Sequence, residues 1–129
     1  HLDALVGALQ TVTGVTRVVK NGTGRARSLE GLAEETLLLT GQIDAPIAVP
    51  MNGATYMADV MGGQKTGLFY DQRPNHAFAA RLAPGARVLD VFSHVGGFGL
   101  ACLAAGATSA LAVDGSAPAL AQLMRSLAP

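Results

Sequence analysis

Two short stretches hold most of the residues able to do chemistry. Gln64, Lys65, Thr66, Tyr70, Asp71, Gln72, Arg73, Asn75 and His76 all fall within 13 positions. Further on, Asp90 is followed by Gly96, Gly97 and Gly99, and Asp114 stands 24 residues after Asp90. Glycines let a backbone approach a ligand closely, and a carboxylate on either side can accept hydrogen bonds from hydroxyls or attract a cation. The run GQKTG at 63–67 invites a phosphate-loop reading. Such a loop needs a longer glycine spacing and a preceding strand to deliver it, and here the first glycines lie too close to Lys65.

These residues need elements to hold them. Val88, Leu89, Val91 and Phe92 form a near-continuous apolar run, as expected of a parallel strand buried on both faces. After the glycines, an apolar helix is expected from about Phe98 to Ala105, closed by Gly106-Ala107, with a second strand over 110–113 ending at Asp114. Ser116 is a suitable N-cap for a helix over 116–127, with Pro118 tolerated in its first turn. The polar segment leads into a helix whose apolar face is read as Phe69, Phe78, Ala79 and Leu82.

Strand, glycine turn, helix, strand and carboxylate make half of a mononucleotide-binding unit, an architecture shared by dinucleotides and S-adenosylmethionine. Asp90 discriminates. A pyrophosphate set against the turn's amides would be repelled by a carboxylate at the strand end. S-adenosylmethionine carries no phosphate and brings a sulfonium and an ammonium group, for which an acidic neighbour is attractive. A plain capping role for Asp90 remains open on spacing alone. Asp114 fits either ligand, since both carry a ribose diol.

The first 61 residues read as a small α+β module: a helix over 2–9, a strand over 15–20, a turn at 21–24, a strand over 37–40, and a hairpin of 47–51 with 54–60. Asn52-Gly53 supplies the hairpin with the two positive φ angles of a type I′ turn. Arg17, Lys20, Arg25 and Arg27 gather near the 21–24 turn, as a solvated basic loop or an edge that contacts phosphate.

The totals narrow the class. In 129 residues, half apolar and with zero net charge, a real core is possible, and a strongly basic nucleic-acid-coating surface is not indicated. The lone Cys102 excludes an internal disulfide framework, no metal-ligand cluster is apparent, and a reducing, cytoplasmic setting fits best. No secretory signal and no membrane-spanning run is visible, so no membrane partner is expected. A first residue other than Met hints at a chain cut from something longer.

GQKTGLFYDQR at 63–73, VLDVFSHVGGFG at 88–99 and VDGSAPAL at 113–120 resemble the large-subunit ribosomal RNA cytosine-C5 methyltransferases of the RlmI type. The resemblance covers residues 52–120, and more loosely from 15. It implies an α/β fold, a partial class I methyltransferase (Rossmann-like) parallel sheet preceded by a small α+β module. The chain then divides into 1–61, a connecting motif and helix over 62–86, and the start of the S-adenosylmethionine-binding domain over 87–129. Carried over by position, Asp90, Phe92, Ser93, Gly96, Gly97 and Phe98 form the turn around the cofactor's methionine part. Asp114 binds the ribose hydroxyls, with Gly115 and Ser116 near the adenosine. Lys65, Thr66, Asp71, Gln72 and Arg73 line the cofactor or target side.

Met51, His94 and His76 depart from the residues common in that family. The implied substrate is RNA, ribosomal RNA above all. The family's later Asp-Pro-Pro motif and cysteine nucleophile are expected beyond Pro129, so no catalytic residue is assigned within the chain. Cys102, in an apolar helix, reads as buried and structural. The alternative is a non-catalytic cofactor-binding or protein-interaction module with a methyltransferase-like fold. Exposed edges of an unfinished parallel sheet would favour association, including a homodimer.

Overall fold

The computed structural model describes residues 1–44, 46–62 and 67–128. Helix α1 (Leu2–Thr13) runs longer than its apolar stripe and stops at Gly14, whose N–H bonds back to the Gln10 carbonyl. Strands β1 (Val18–Gly22) and β2 (Glu35–Thr40) pair antiparallel. Between them lies a short helix, α2 (Arg25–Leu29), over residues read as part of a basic loop. Its sequence, RARSL, is too short to show a helical period. The basic residues around it are partly engaged: Lys20 pairs with Glu35, and Arg27 donates twice to the Ala33 carbonyl.

Strands β3 (Ile47–Met51) and β4 (Ala54–Ala58) form the expected hairpin, with φ of 52° at Asn52 and 78° at Gly53. A 3-10 turn (Tyr70–Gln72) runs into α3 (Arg73–Leu82), then come β5 (Arg87–Val91), α4 (Gly97–Ala104), β6 (Ser109–Val113) and α5 (Ala117–Ser126). Strands β5 and β6 pair in parallel, Asp90 opposite Ala112 and Val91 opposite Val113. The Ser116 hydroxyl caps α5 by accepting from the Ala119 N–H, as its sequence predicts.

Two expectations are corrected. The β5 strand is covered on one face only. Asp90 is buried on the α4 side, while Leu89 and Leu111, opposite each other in the ladder, are 63% and 65% exposed. A run of apolar residues cannot say how many layers cover it; here one layer does. In α3 the buried residues are His76 and Ala80, whereas Phe78 and Leu82 are 56% and 70% exposed. Phe69 precedes the helix altogether. The small Ala80 and the flat imidazole permit the close approach of α3 to α4 that Phe78 and Leu82 would prevent.

The core joins the hairpin to the glycine-turn unit: Met51, Tyr56, Ala58, Leu68, Val95, Leu100 and Ala119 pack as one cluster. Tyr56 is fully buried, and its hydroxyl donates to the Gly97 carbonyl at 3.0 Å. Burial of that phenol pushes its pKa up to about 12, so it stays a donor at any ordinary pH. From the hairpin's far side the Met57 N–H donates to Ser126 Oγ. Tyr56→Phe should keep the packing and lose one hydrogen bond. The expected cost in chemical denaturation is about 0.5–1.5 kcal/mol.

Candidate functional site

The site grows from the end of β5. Phe92 and His94 take positive φ values of 61° and 50°, and Gly96 follows at 82°. Left-handed backbone at a bulky residue costs on the order of 1–3 kcal/mol and persists only where its surroundings enforce it. Here the enforcement is visible. Ser93 N–H donates to the Val113 carbonyl, Gly96 N–H to the Ser93 carbonyl, and His94 N–H to Asp114 Oδ2 at 2.7 Å.

Asp114 ties the two halves of the turn together, because its other oxygen accepts from the Ser116 N–H at 2.7 Å. The His94 and Ser116 amides, in that order, hold its carboxyl below the usual carboxylate range. It is therefore ionised at neutral pH, and each oxygen keeps a lone pair for a further donor. Gly115 beside it is exposed.

Asp90 behaves differently. It is buried, and its Oδ2 accepts the Gly99 N–H at 2.9 Å, near the α4 N-terminus. Burial raises its pKa, against the lowering effect of that bond. This bond makes Asp90 a cap for the start of α4. A methyl added at Gly99 would lie 3.3 Å from this carboxylate, so glycine lets helix and strand approach.

Gly97 is fixed by a neighbour. A methyl there would sit 2.6 Å from His76 Cε1 and Nε2. The His76 ring also meets Phe98 edge-on, centroids 4.5 Å apart. Phe98 is half-buried, whereas Phe92 is 88% exposed at the tip of the turn. Within the turn, Ser93 Oγ is buried and has no hydrogen-bond partner among the described residues.

Beside the turn opens a cavity of about 280 Å³, with walls from Tyr56, Phe69, Gln72, His76, His94 and Phe98 among others. Thus Gln72 faces the cavity, while Asp71 and Arg73 are exposed at the start of α3. The Arg73 carbonyl accepts from the Asn52 side chain. Lys65 and Thr66 lie outside the described residues. Sequence reasoning missed Tyr56. A lone aromatic in a strand gives no sign that its hydroxyl will anchor a helix start forty residues on.

Burial lowers the pKa of both His76 and His94, with nearby carboxylates opposing it. A base with a depressed folded pKa contributes stability that is present above its unfolded value and lost as pH falls. The melting temperature should therefore drop as pH is lowered below about 6.5. His76→Phe should flatten that slope in a pH series of thermal melts.

Cys102 is buried in α4, and burial raises its thiol pKa, which suits packing and not nucleophilic attack. Among the described residues no cluster of side chains could hold a metal ion, and no helix is long and apolar enough to cross a membrane.

Known proteins resemble this chain. A family model described as S-adenosylmethionine-dependent methyltransferase matches residues 28–125. The ribosomal RNA large subunit methyltransferase I of Tolumonas auensis is 39% identical over 122 residues, 93% of this chain and 31% of that protein. The protein of the same name from Shewanella denitrificans is 47% identical over 96 residues, 74% of this chain and 24% of that protein. The chain thus spans about a third or less of the length of these relatives.

Among solved structures, P. horikoshii TYW2 in complex with MeSAdo superposes with a TM-score of 0.68 at 19% identity, over 96% of this chain and 41% of that one. The Agrobacterium tumefaciens SAM-dependent methyltransferase gives 0.67 at 16% identity, over 91% and 36%. At such identities the likeness concerns the fold. The mixed α/β architecture with its parallel strand pair is the partial Rossmann-like fold that the sequence predicts. With the family model matching most of its length, the chain belongs to the S-adenosylmethionine-dependent methyltransferase family.

Proposed function

We propose that this chain is the donor-binding part of a ribosomal RNA methyltransferase acting at C5 of cytosine. The observation that carries the reading is the pinned Asp114, an ionised carboxylate at the end of β6 that fastens the glycine turn through His94 and Ser116. The cytosine specificity rests on the resemblance of the 63–73, 88–99 and 113–120 motifs and on relatives named for large-subunit ribosomal RNA.

The residues present fit S-adenosylmethionine. Asp114 has lone pairs for the ribose hydroxyls, and Gly115 and Ser116 flank the adenosine side. Ser93 Oγ, buried and without a hydrogen-bond partner among the described residues, belongs to the turn around the methionine part. Asp90, Phe92, Gly96, Gly97 and Phe98 complete the turn around that part, and Asp90 also holds the Gly99 N–H. Asp71, Gln72 and Arg73, with Lys65 and Thr66, belong to the cofactor or target side. In this reading residues 1–61 form a first module whose hairpin packs on the donor unit, 62–86 connect them, and the donor domain begins at 87. When bound, the cofactor supplies an electrophilic methyl group.

The chain's contribution to rate is to hold that donor in line with the attacking carbon, an effect of position and orientation. Methylation at C5 of cytosine needs a thiolate to add at C6 first. Cys102 is not that thiolate, so we assign no catalytic residue within this sequence. The setting is cytoplasmic, and association of two copies through the bare face of β5 and β6 is compatible with their exposure.

The test is transfer of labelled methyl from S-adenosylmethionine to large-subunit ribosomal RNA by the intact protein, followed by nucleoside analysis. Label in 5-methylcytidine supports the proposal. Label in another nucleoside removes the cytosine assignment, and no transfer despite cofactor binding favours the non-catalytic module.

A further inference from the structure

The β3–β4 hairpin grips three helices of the glycine-turn unit through one polar bond to each. At its tip the Asn52 side chain donates to the Arg73 carbonyl at 2.9 Å. The Met57 N–H donates to Ser126 Oγ at 2.9 Å. Arg73 opens α3 and Ser126 closes α5, so these two bonds stay outside the glycine turn. The third reaches into it: the Tyr56 hydroxyl donates to the Gly97 carbonyl, in the first turn of α4, at 3.0 Å.

A hydroxyl on a fully buried ring has to find its partner inside the protein, and Gly97 supplies it. What the bond fixes is a whole peptide unit. Peptide bonds are planar and trans, so the Gly97 carbonyl and the Phe98 N–H lie in one plane and point opposite ways. The Phe98 N–H is a first-turn donor of α4, for which the helix itself has no acceptor. It bonds to no backbone carbonyl among the described residues, and it points out of the helix N-terminus toward the turn. Glycine leaves this peptide loose, since no Cβ restricts its backbone. Two neighbours hold it instead. The His76 ring fills the space a side chain would take, and Tyr56 adds a directional bond.

We infer that Tyr56 is a positioning residue for the cofactor, holding the Gly97–Phe98 peptide so that the Phe98 N–H stays aimed at the carboxylate of the methionine part. This role rests on the methyltransferase reading and goes beyond it, because a side chain of the first module then sets the donor unit's affinity for its cofactor. Tyr56 touches no ligand in this scheme. A bond from an amide to a carboxylate is charge-assisted, and its strength depends on aim. Loss of the hydroxyl therefore costs affinity for the amino-acid part and leaves the adenosine part, held at Asp114, as it was.

Calorimetry on the intact protein tests this with two ligands: S-adenosylhomocysteine, which carries the amino-acid part, and 5′-methylthioadenosine, which lacks it. Tyr56→Phe should weaken S-adenosylhomocysteine binding about threefold to tenfold and leave the stoichiometry and the affinity for 5′-methylthioadenosine unchanged. Mere loss of folded protein would lower the number of sites instead. Thr108→Ala, which removes a side-chain bond to the Ala86 carbonyl at the other end of β5 and β6, is the control and should leave both affinities unchanged. Equal weakening of the two ligands by Tyr56→Phe, or weakening of neither, would overturn the inference, as would an equal loss in Thr108→Ala. In the unaltered protein the Phe98 amide resonance should shift on adding S-adenosylhomocysteine and stay put with 5′-methylthioadenosine. A Phe98 amide that ignores bound S-adenosylhomocysteine would also overturn it. Failure of the unaltered protein to bind S-adenosylhomocysteine would instead remove the underlying cofactor reading.

Discussion

Gly96→Ala is expected to destabilise the protein by about 2–5 kcal/mol, the sum of a left-handed backbone penalty and an overpacking penalty. Gly96 holds φ at 82°, and a methyl there would lie 2.5 Å from Leu123 Cδ1 and 2.9 Å from its Cγ. Leu123 is buried on α5. Because Gly96 N–H also closes the turn onto the Ser93 carbonyl, the strain falls on the segment that Asp114 pins. Urea denaturation measures the effect. Leu123→Ala in the same background should recover part of the loss by making room, while the φ penalty remains.

Asp114→Ala is expected to weaken S-adenosylhomocysteine binding about 10- to 100-fold, as for a lost hydrogen bond to a charged group. Two effects add: the ribose diol loses its acceptor, and the His94 and Ser116 amides lose theirs. Asp114→Asn separates them. Its remaining amide oxygen can still hold one backbone N–H, so the turn should keep part of its order while the charge is gone. Asparagine should therefore give an intermediate affinity, and alanine a lower one. An alanine variant with unchanged affinity would remove Asp114 from the site.

Much of this site could be read before the fold was seen. The β5, glycine turn, α4, β6 and Asp114 order follows from apolar runs bounded by glycine, because a parallel strand and its crossover helix leave few other arrangements. The Asn52-Gly53 hairpin and the Ser116 cap are local effects, written in a few adjacent residues. What the sequence withheld depends on packing between distant segments. Phe78 and Leu82 look like the core face of α3, but His76 and Ala80 occupy it, since only a flat ring and a methyl fit between α3 and Gly97.

The bond from Tyr56 to the Gly97 carbonyl joins residues 41 apart and leaves no local trace. For Asp90 the residue type suggested attraction to a cation; what the sequence did not show is that its Oδ2 accepts the Gly99 N–H. The preference for S-adenosylmethionine over a dinucleotide rests on Asp90's charge, the resemblance of the motifs and the family match.

Calorimetric titration of the chain with S-adenosylhomocysteine, and in parallel with NADH, tests the central claim most directly. The account predicts saturable binding of S-adenosylhomocysteine at one site, weakened by Asp114→Ala, and no comparable binding of NADH. Preferential binding of NADH would contradict it.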